Sequence, residues 1–272
     1  MLFVGIDLAW SEKNWSGIAI LEGDKNKATL KYATNVLSND EIKEHIIKIK
    51  DQDALIAIDA PLIVPNQDGR RIAEKIVGDL FRKYNAGAHP ANRKRLSQWS
   101  GNIRGEEISK ILEQNNFIHN PYIEQFKKQR AFFEVYPHPS MVVLFKLQKV
   151  LPYKAKPKRD YPSRWKVFKQ YQSYLKELSK SSPQLILPKE ITEKKVEILR
   201  GQKLKEYEDL LDSIFCAYIA YYCWTHPDKT AVLGDMKRGY ILTPIFDYMY
   251  DKLKSKNSQK TLTYYSKIKQ NL

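Results

Sequence analysis

Short apolar runs separated by polar turns dominate the first sixty residues. This pattern predicts strands at 3–8, 16–21, 28–36 and 54–58, with a helix at 41–50 between the third and fourth strands. Ser38, Asn39 and Asp40 are N-cap residue types in front of that helix, and Pro61 follows the fourth strand closely enough to stop it. The order strand, strand, strand, helix, strand therefore predicts an α/β fold that opens with an antiparallel meander.

The middle of the chain has a different character. Residues 66–130 are polar, basic and mostly helical in pattern, so we expect a helical insertion or cap after the fourth strand rather than more sheet. Strand character returns at 131–136, and an apolar helix is predicted from Ser140 to Leu147. Residues 149–165 are basic, contain prolines and lack apolar periodicity, which predicts a loop.

The last third of the chain is predicted to be mainly helical. We expect helices at about 164–180 and 189–204, the strongest helix at 207–224, and short strands at 231–233 and 240–242. In this interpretation residues 1–250 form one domain, with helical or basic insertions at about 66–130 and 146–206, and 251–272 form a basic C-terminal tail.

Composition excludes several classes of protein. A chain of 272 residues, 43% hydrophobic and 12% aromatic, buries a sizeable core without disulfides. The longest apolar run, 214–224, has about half of the roughly 20 residues needed to cross a bilayer. Asp7 inside the first apolar stretch is not typical of a secretory signal, and Cys216 and Cys223 lie on one predicted helix. We therefore expect a cytoplasmic protein without a membrane partner.

The net charge of +15 is concentrated in three blocks. Residues 66–130, 146–207 and 251–272 carry net charges of +6, +11 and +5, whereas the remaining segments are neutral to acidic. Basic blocks around an acidic scaffold favour a polyanionic partner, which makes nucleic acid, DNA or RNA, the expected ligand. A lysine-rich solvated surface accounts for the same composition and stays open as the alternative.

Five acids fall where chemistry is usually sited. Asp7 lies in the first strand, Asp59 ends the fourth, Glu134 interrupts the apolar strand at 131–136, and Asp209 and Asp212 share one face of the strongest helix. Acids on neighbouring strands and on a flanking helix are what oxygen-ligand metal binding needs.

Each acid alone also has a structural explanation. Asp7 suits a hydrogen-bonded buried acid, Asp59 a turn cap, and Glu134 an ion pair with an arginine such as Arg130. Asp209 and Asp212 suit the first turn of a helix, where acids stabilise the macrodipole. Only the combination of acids favours a metal site.

Basic, histidine and aromatic residues supply further candidates. Guanidinium groups match phosphate oxygens, so the expected substrate contacts are Arg70, Arg71, Arg93 and Arg95, with Lys94 beside them. His89 and His138 are flanked by proline in polar segments and suit either proton transfer or a structural loop. Candidates for stacking bases, or for packing, are Trp10, Trp15, Trp99, Tyr136, Tyr153 and Trp165.

Six segments, in this order, resemble the family called domain of unknown function 429, whose members are taken to be ribonuclease H-like nucleases. They are Gly5–Trp10, Ile58–Leu62, Gly69–Arg71, Glu134–Pro139, Glu208–Ala217 and Arg238–Pro244. The resemblance covers about residues 1–247, and the ordered set is far more specific than any single motif. It implies a ribonuclease H-like three-layer α/β/α fold with a mixed five-stranded sheet.

The resemblance also implies chemistry. The metal-bound acids of that superfamily would fall on Asp7, Asp59 and Asp212, with Asp209 as a candidate fourth, holding Mg²⁺ or Mn²⁺ in a two-metal phosphodiester hydrolysis. Glu134 matches the narrower family's motif and is a further catalytic candidate. Asp59 is shorter than the glutamate common at that strand in characterised nucleases. Two alternatives stay open: a non-catalytic nucleic-acid-binding protein, and a hydrolase or transferase of a small phosphorylated metabolite behind a cap formed by 66–130.

Overall fold

A computed structural model of the protein describes residues 1–98 and 101–256. Its strands are β1 (Leu2–Asp7), β2 (Ser16–Gly23), β3 (Lys27–Val36), β4 (Ala54–Asp59), β5 (Ile118–His119), β6 (Arg130–Glu134), β7 (Gln184–Ile186), β8 (Thr230–Asp235) and β9 (Gly239–Pro244). Its helices are α1 (Asn39–Ile47), α2 (Ile72–Phe81), α3 (Arg93–Leu96), α4 (Arg104–Gln114), α5 (Pro137–Leu144), α6 (Tyr161–Glu177), α7 (Lys189–Thr192), α8 (Gly201–Thr225) and α9 (Asp247–Lys256).

The main sheet is mixed, which confirms the α/β class. Within the described ranges it has seven strands in the order β5-β6-β4-β1-β2-β3-β7. β1, β2 and β3 form the expected antiparallel meander, and β4 runs parallel to β1 with β6 parallel to β4. The sheet has two more strands than the five expected from the sequence. The additional strands are the edge strands β5 and β7, which have only two and three residues. Segments this short carry no detectable periodicity.

Helices cover both faces of the sheet. Alternate side chains of β1, such as Val4 and Ile6, pack against α1 and α4 through Ile42 and Ile108. Phe3 points to the opposite face, where its core cluster includes residues of α5, α6 and α8. This places the long helix α8 against the strands whose ends carry Asp7 and Asp59.

The segment at 66–130 contains the helices α2, α3 and α4, but helix covers fewer than half of its residues, and β5 within it joins the sheet edge. The two predicted terminal strands, β8 and β9, form an antiparallel hairpin that packs on α2. The helix expected at 164–180 is α6. The helix predicted to begin at Ser140 begins instead at Pro137, a residue well suited to a first helical turn.

The helix predicted at 189–204 is wrong. Its first turn forms as α7 and its last four residues form the start of α8, but between them the chain leaves the α-helix and makes only a short 3₁₀ turn at Val196–Ile198. Between the two helices only Val196 and Leu199 are buried, so a continuous helix would have no apolar face to pack.

Across residues 1–98 and 101–256, no helix is both long and apolar enough to cross a membrane. Most of the expected basic tail, from residue 257 onward, lies outside the described residues, as does Trp99.

Candidate functional site

Asp7 and Asp59 are the last residues of two neighbouring parallel strands and stand directly opposite each other in the β1–β4 register. Both side chains therefore project from the same edge of the sheet. Burial raises the pKa of Asp7, and burial together with the charge of Asp7 raises the pKa of Asp59 well above its usual value. This edge concentrates negative charge in a poorly solvated place, so it favours a proton or a cation.

Two glycines bring α8 onto this edge. A Cβ on Gly5 would lie 2.0 Å from the carbonyl oxygen of Ser213, and one on Gly17 would lie 2.1 Å from that of Asp209. Only residues without a side chain allow the helix backbone to approach the strands so closely. The contact carries the acids of α8 to the end of β1.

Asp209 is the α8 acid that reaches Asp7. The two carboxyl groups lie within hydrogen-bonding reach of each other, and burial and the Asp7 charge raise the pKa of Asp209 to about 8. Lys205 forms an ion pair with Asp209 Oδ1, whereas Oδ2 is buried and has no donor among the described residues. Two carboxylates in contact need a shared proton or a cation between them.

Asp212 lies one turn further along α8 and is completely buried. It accepts hydrogen bonds from the Tyr153 hydroxyl at 2.8 Å and the Tyr171 hydroxyl at 3.2 Å, and Lys154 Nζ lies 3.0 Å from its Oδ2. Both of its oxygens are therefore occupied by protein donors. These contacts make Asp212 an anchor for Lys154, and the metal-ligand role that the resemblance implies for Asp212 stays a prediction.

Lys154 is the cation at the centre of the acids. Burial alone would lower the pKa of Lys154, but the charges of Asp212, Asp7 and Asp59 raise it well above its usual value. The lysine comes from the loop between α5 and α6, which the sequence analysis identified only as generally basic. No local signal distinguishes it from the neighbouring lysines of that loop.

The donor chemistry of Asp7, Asp59 and Asp209 fits an oxygen-preferring divalent cation such as Mg²⁺ or Mn²⁺. Their raised pKa values and the donorless Oδ2 of Asp209 mark a place where positive charge is under-supplied. In residues 1–98 and 101–256 as they stand, no group of three or more acidic, histidine or cysteine side chains is arranged to hold a metal. Lys154 supplies the positive charge in this arrangement.

Glu134 is placed differently from the other acids. It is buried and makes a two-pronged ion pair with Arg71, whose guanidinium also binds Glu74 and the carbonyl oxygen of Ile63. Arg71 is likewise buried, and the pair links β6 to the segment before α2. Both residues also line the cavity that contains Asp7 and Asp59, so the substrate contact of Arg71 and the catalytic role of Glu134 stay predictions.

The acids open into a cavity of about 1060 Å³. Its walls come from the loop after β1 at 8–15, from residues around 82–91 and from the loop at 150–159. The basic residues of the walls include Lys154, Lys156, Arg159 and Lys205. The cavity therefore combines a carboxylate floor with cationic walls, which suits a phosphate-bearing ligand held beside a metal.

Both expected histidines line this cavity. His138 Nδ1 lies 2.9 Å from the Tyr136 hydroxyl, and burial lowers the pKa of His138 to about 3. The pKa of His89 is lowered by burial and by Arg95, Lys156 and Arg70. In both imidazoles, burial therefore favours the neutral form, most strongly in His138.

The other expected substrate contacts lie elsewhere. Arg70, Arg93 and Arg95 are all described, and none of them lines the cavity. Arg70 and Lys94 are exposed, Arg93 pairs with Glu106 at 2.9 Å, and Arg95 lies over the ring of Trp10. Among the aromatic candidates, Trp10, Trp15 and Tyr136 line the cavity, Tyr153 is buried against Asp212, and Trp165 stacks on Tyr161.

Comparison with known proteins gives one family. No curated protein shows significant similarity to this sequence. The family model described as Protein of unknown function (DUF429) matches residues 5–237, a range that contains α8 and all four aspartates of the site. The chain belongs to the DUF429 family.

Proposed function

We propose that this protein is a metal-dependent phosphodiesterase that hydrolyses nucleic acid. The observation that carries the proposal is the register of Asp7 and Asp59 at one sheet edge, with the donorless oxygen of Asp209 beside them. Three carboxyl groups at the floor of a basic cavity match the needs of a divalent cation and a phosphate together.

The inner strands support a ribonuclease H-like interpretation. β3, β2 and β1 form an antiparallel meander that β4 and β6 continue in parallel, which is a mixed five-stranded core inside the wider sheet. The acids at the ends of β1 and β4 and on α8 are the observations that support this interpretation.

In this proposal the aspartates, the basic residues and a histidine have different roles. Asp7, Asp59 and Asp209 would hold the ion, which supplies Lewis-acid polarisation of a phosphoryl oxygen and an acidified water. Lys154, held by Asp212, presents an ammonium group to the phosphate, and Lys156 and Arg159 add positive charge along the cavity wall. His89 lines the same cavity and is the candidate proton acceptor.

A second candidate is a hydrolase of a small phosphorylated metabolite. The observation that favours it is the origin of the cavity walls, because residues around 82–91 and 150–159 both come from the inserted segments and enclose the acids. A cavity of about 1060 Å³ is large enough to enclose a nucleotide-sized ligand.

Cleavage of labelled single- and double-stranded DNA and RNA in Mn²⁺ or Mg²⁺ tests the proposal, alongside nucleoside phosphates. We expect cleavage that EDTA abolishes and that Asp59→Asn slows by about 100-fold or more. Asp51→Asn, which neutralises an exposed acid away from the cavity, is the matched control and keeps full activity.

Three other outcomes would contradict the proposal. Turnover of a nucleoside phosphate but of no polynucleotide selects the second candidate. Salt-sensitive binding of nucleic acid without cleavage in either metal identifies a non-catalytic binding protein. Equal cleavage by wild type and Asp59→Asn would remove the carboxylate edge from the mechanism.

A further inference from the structure

Two tryptophans on the loop at 8–15 share the cavity with the carboxylates. Trp10 and Trp15 both line the cavity, and Trp10 leaves 40% of its surface exposed. A tryptophan normally contributes a large buried area to a fold, so exposing one at a cavity forgoes stability. Such a side chain favours a ligand that covers it.

The loop that carries Trp10 is held in place by a buried arginine. Arg104 donates hydrogen bonds to the carbonyl oxygens of Ala9 at 3.0 Å and Ser11 at 3.2 Å, and to Ser16 Oγ at 3.0 Å. The same hydroxyl oxygen accepts a hydrogen bond from the backbone N–H of Ala9 at 3.1 Å. The indole is therefore presented by a fixed backbone, and its exposure is part of the fold.

A cation already lies on this aromatic surface. The Arg95 guanidinium is 5.3 Å from the centroid of the Trp10 ring. Guanidinium and indole planes together form the kind of surface on which nucleobases stack in single-stranded nucleic-acid sites. Lys156 and Arg159 on another wall of the same cavity supply charge for a phosphate.

We infer that Trp10 and Trp15 form a nucleobase subsite, which places one base of a nucleotide chain on the indoles and its phosphate at the Asp7 and Asp59 edge. The subsite deepens the proposed function and rests on it for the phosphodiester. A free sugar also packs on tryptophan, but it carries no charge to match the cationic walls. The expected ligand is therefore a nucleotide that carries both a base and a phosphate.

Fluorescence anisotropy of short single-stranded adenylate oligonucleotides, in DNA and RNA form, tests the subsite. Abasic oligonucleotides of the same length serve as the comparison, and EDTA with low salt keeps the phosphate contacts while preventing cleavage. We expect the wild type to bind a base-bearing strand about tenfold more tightly than its abasic counterpart. Trp10→Leu and Trp15→Leu should each reduce that ratio, and Trp10→Tyr should restore part of it.

Tyr32→Leu is the matched control, because Tyr32 is a 43% exposed aromatic on β3 that does not line the cavity. Equal wild-type affinity for the base-bearing and abasic strands would overturn the subsite, as would an unchanged ratio in both tryptophan variants. Wild-type hydrolysis of bis(p-nitrophenyl) phosphate with Mn²⁺ tests the proposed function separately. Hydrolysis without base discrimination overturns only the subsite, and base discrimination without hydrolysis overturns only the phosphodiesterase.

Discussion

The ammonium group of Lys154 lies 3.0 Å from a carboxylate oxygen of Asp212, a residue with no exposed surface. Asp212 is in turn held by two tyrosine hydroxyls, so the lysine has a fixed partner rather than a choice among acids. The charge of Lys154, which partly offsets the rise that burial causes in the pKa of Asp7 and of Asp59, thus depends on a helix residue that has no exposed surface. The site is stabilised in layers, from tyrosines to Asp212 to Lys154 to the strand ends.

Lys154→Met should destabilise the protein by about 2 kcal/mol at neutral pH without divalent ions, because it leaves a buried carboxylate uncompensated. Urea denaturation measures the change. Lys156→Met, at an exposed lysine of the same loop, should cost less than about 0.5 kcal/mol. Adding Asp212→Asn to Lys154→Met should recover most of the loss, and equal midpoints for Lys154→Met and wild type would contradict the arrangement.

Glu134→Gln should lower the stability by about 3 kcal/mol, because Arg71 then keeps a buried charge with one carboxylate fewer. A thermal melt should show a Tm lower by about 10 °C. Glu124→Gln removes an exposed pair with Lys127 and should change the Tm by no more than about 2 °C. Similar shifts for the two variants would mean that Glu134 is not a structural anchor.

Gly5→Ala should cost at least about 3 kcal/mol, because its methyl group would collide with the backbone of α8 at Ser213 and Ala217. Gly87→Ala is the control, since a Cβ there meets nothing within 4 Å. Guanidinium denaturation of both variants gives the comparison. A small and equal effect would show that α8 is free to move away from the sheet.

His119 should make the protein sensitive to acid. Its Nε2 lies 2.8 Å from the Tyr240 hydroxyl, and burial lowers its pKa to about 4. An unfolded histidine titrates near about 6.5, so between these values the unfolded state binds more protons and stability falls as the pH falls. We expect a loss of about 1 to 2 kcal/mol from this group, allowing for its partial exposure.

Urea titrations between neutral pH and about pH 4.5, run on wild type and His119→Asn, measure this effect. His138 contributes in the same direction in both proteins, so the difference between the two curves isolates His119. Parallel curves would assign the acid sensitivity to other groups.

Local patterns predict much of the fold. β1, β2, β3, α1 and β4 follow directly from apolar spacing and capping residues, because each is long enough to show a period. The position of Asp59 at a strand end follows from the same reasoning, whereas Asp7, expected inside the strand at 3–8, is the last residue of β1, opposite Asp59. Edge strands of two or three residues leave no such trace.

The sequence does not show which residues each basic side chain contacts in the folded protein. Arg71 and Arg95 look alike in sequence, yet one is buried in an ion-pair network and the other lies on an indole ring. Lys154 and Arg104 belong to segments rich in basic residues, and only the folded chain singles them out. These roles arise from contacts between segments that are distant along the chain, which no local pattern encodes.

The contact of α8 with β1 and β2 has a consequence for how this site tolerates change. Gly5 and Gly17 let the helix and strand main chains touch, so the offset between Asp7 and Asp209 is set by main-chain atoms rather than by interlocking side chains. Exchanging one apolar residue for another elsewhere in the core changes the side-chain packing around that contact. It leaves the relative position of Asp7 and Asp209 unchanged. The hydrophobic interior is therefore free to diversify while the acidic edge keeps its dimensions, provided that both glycines persist.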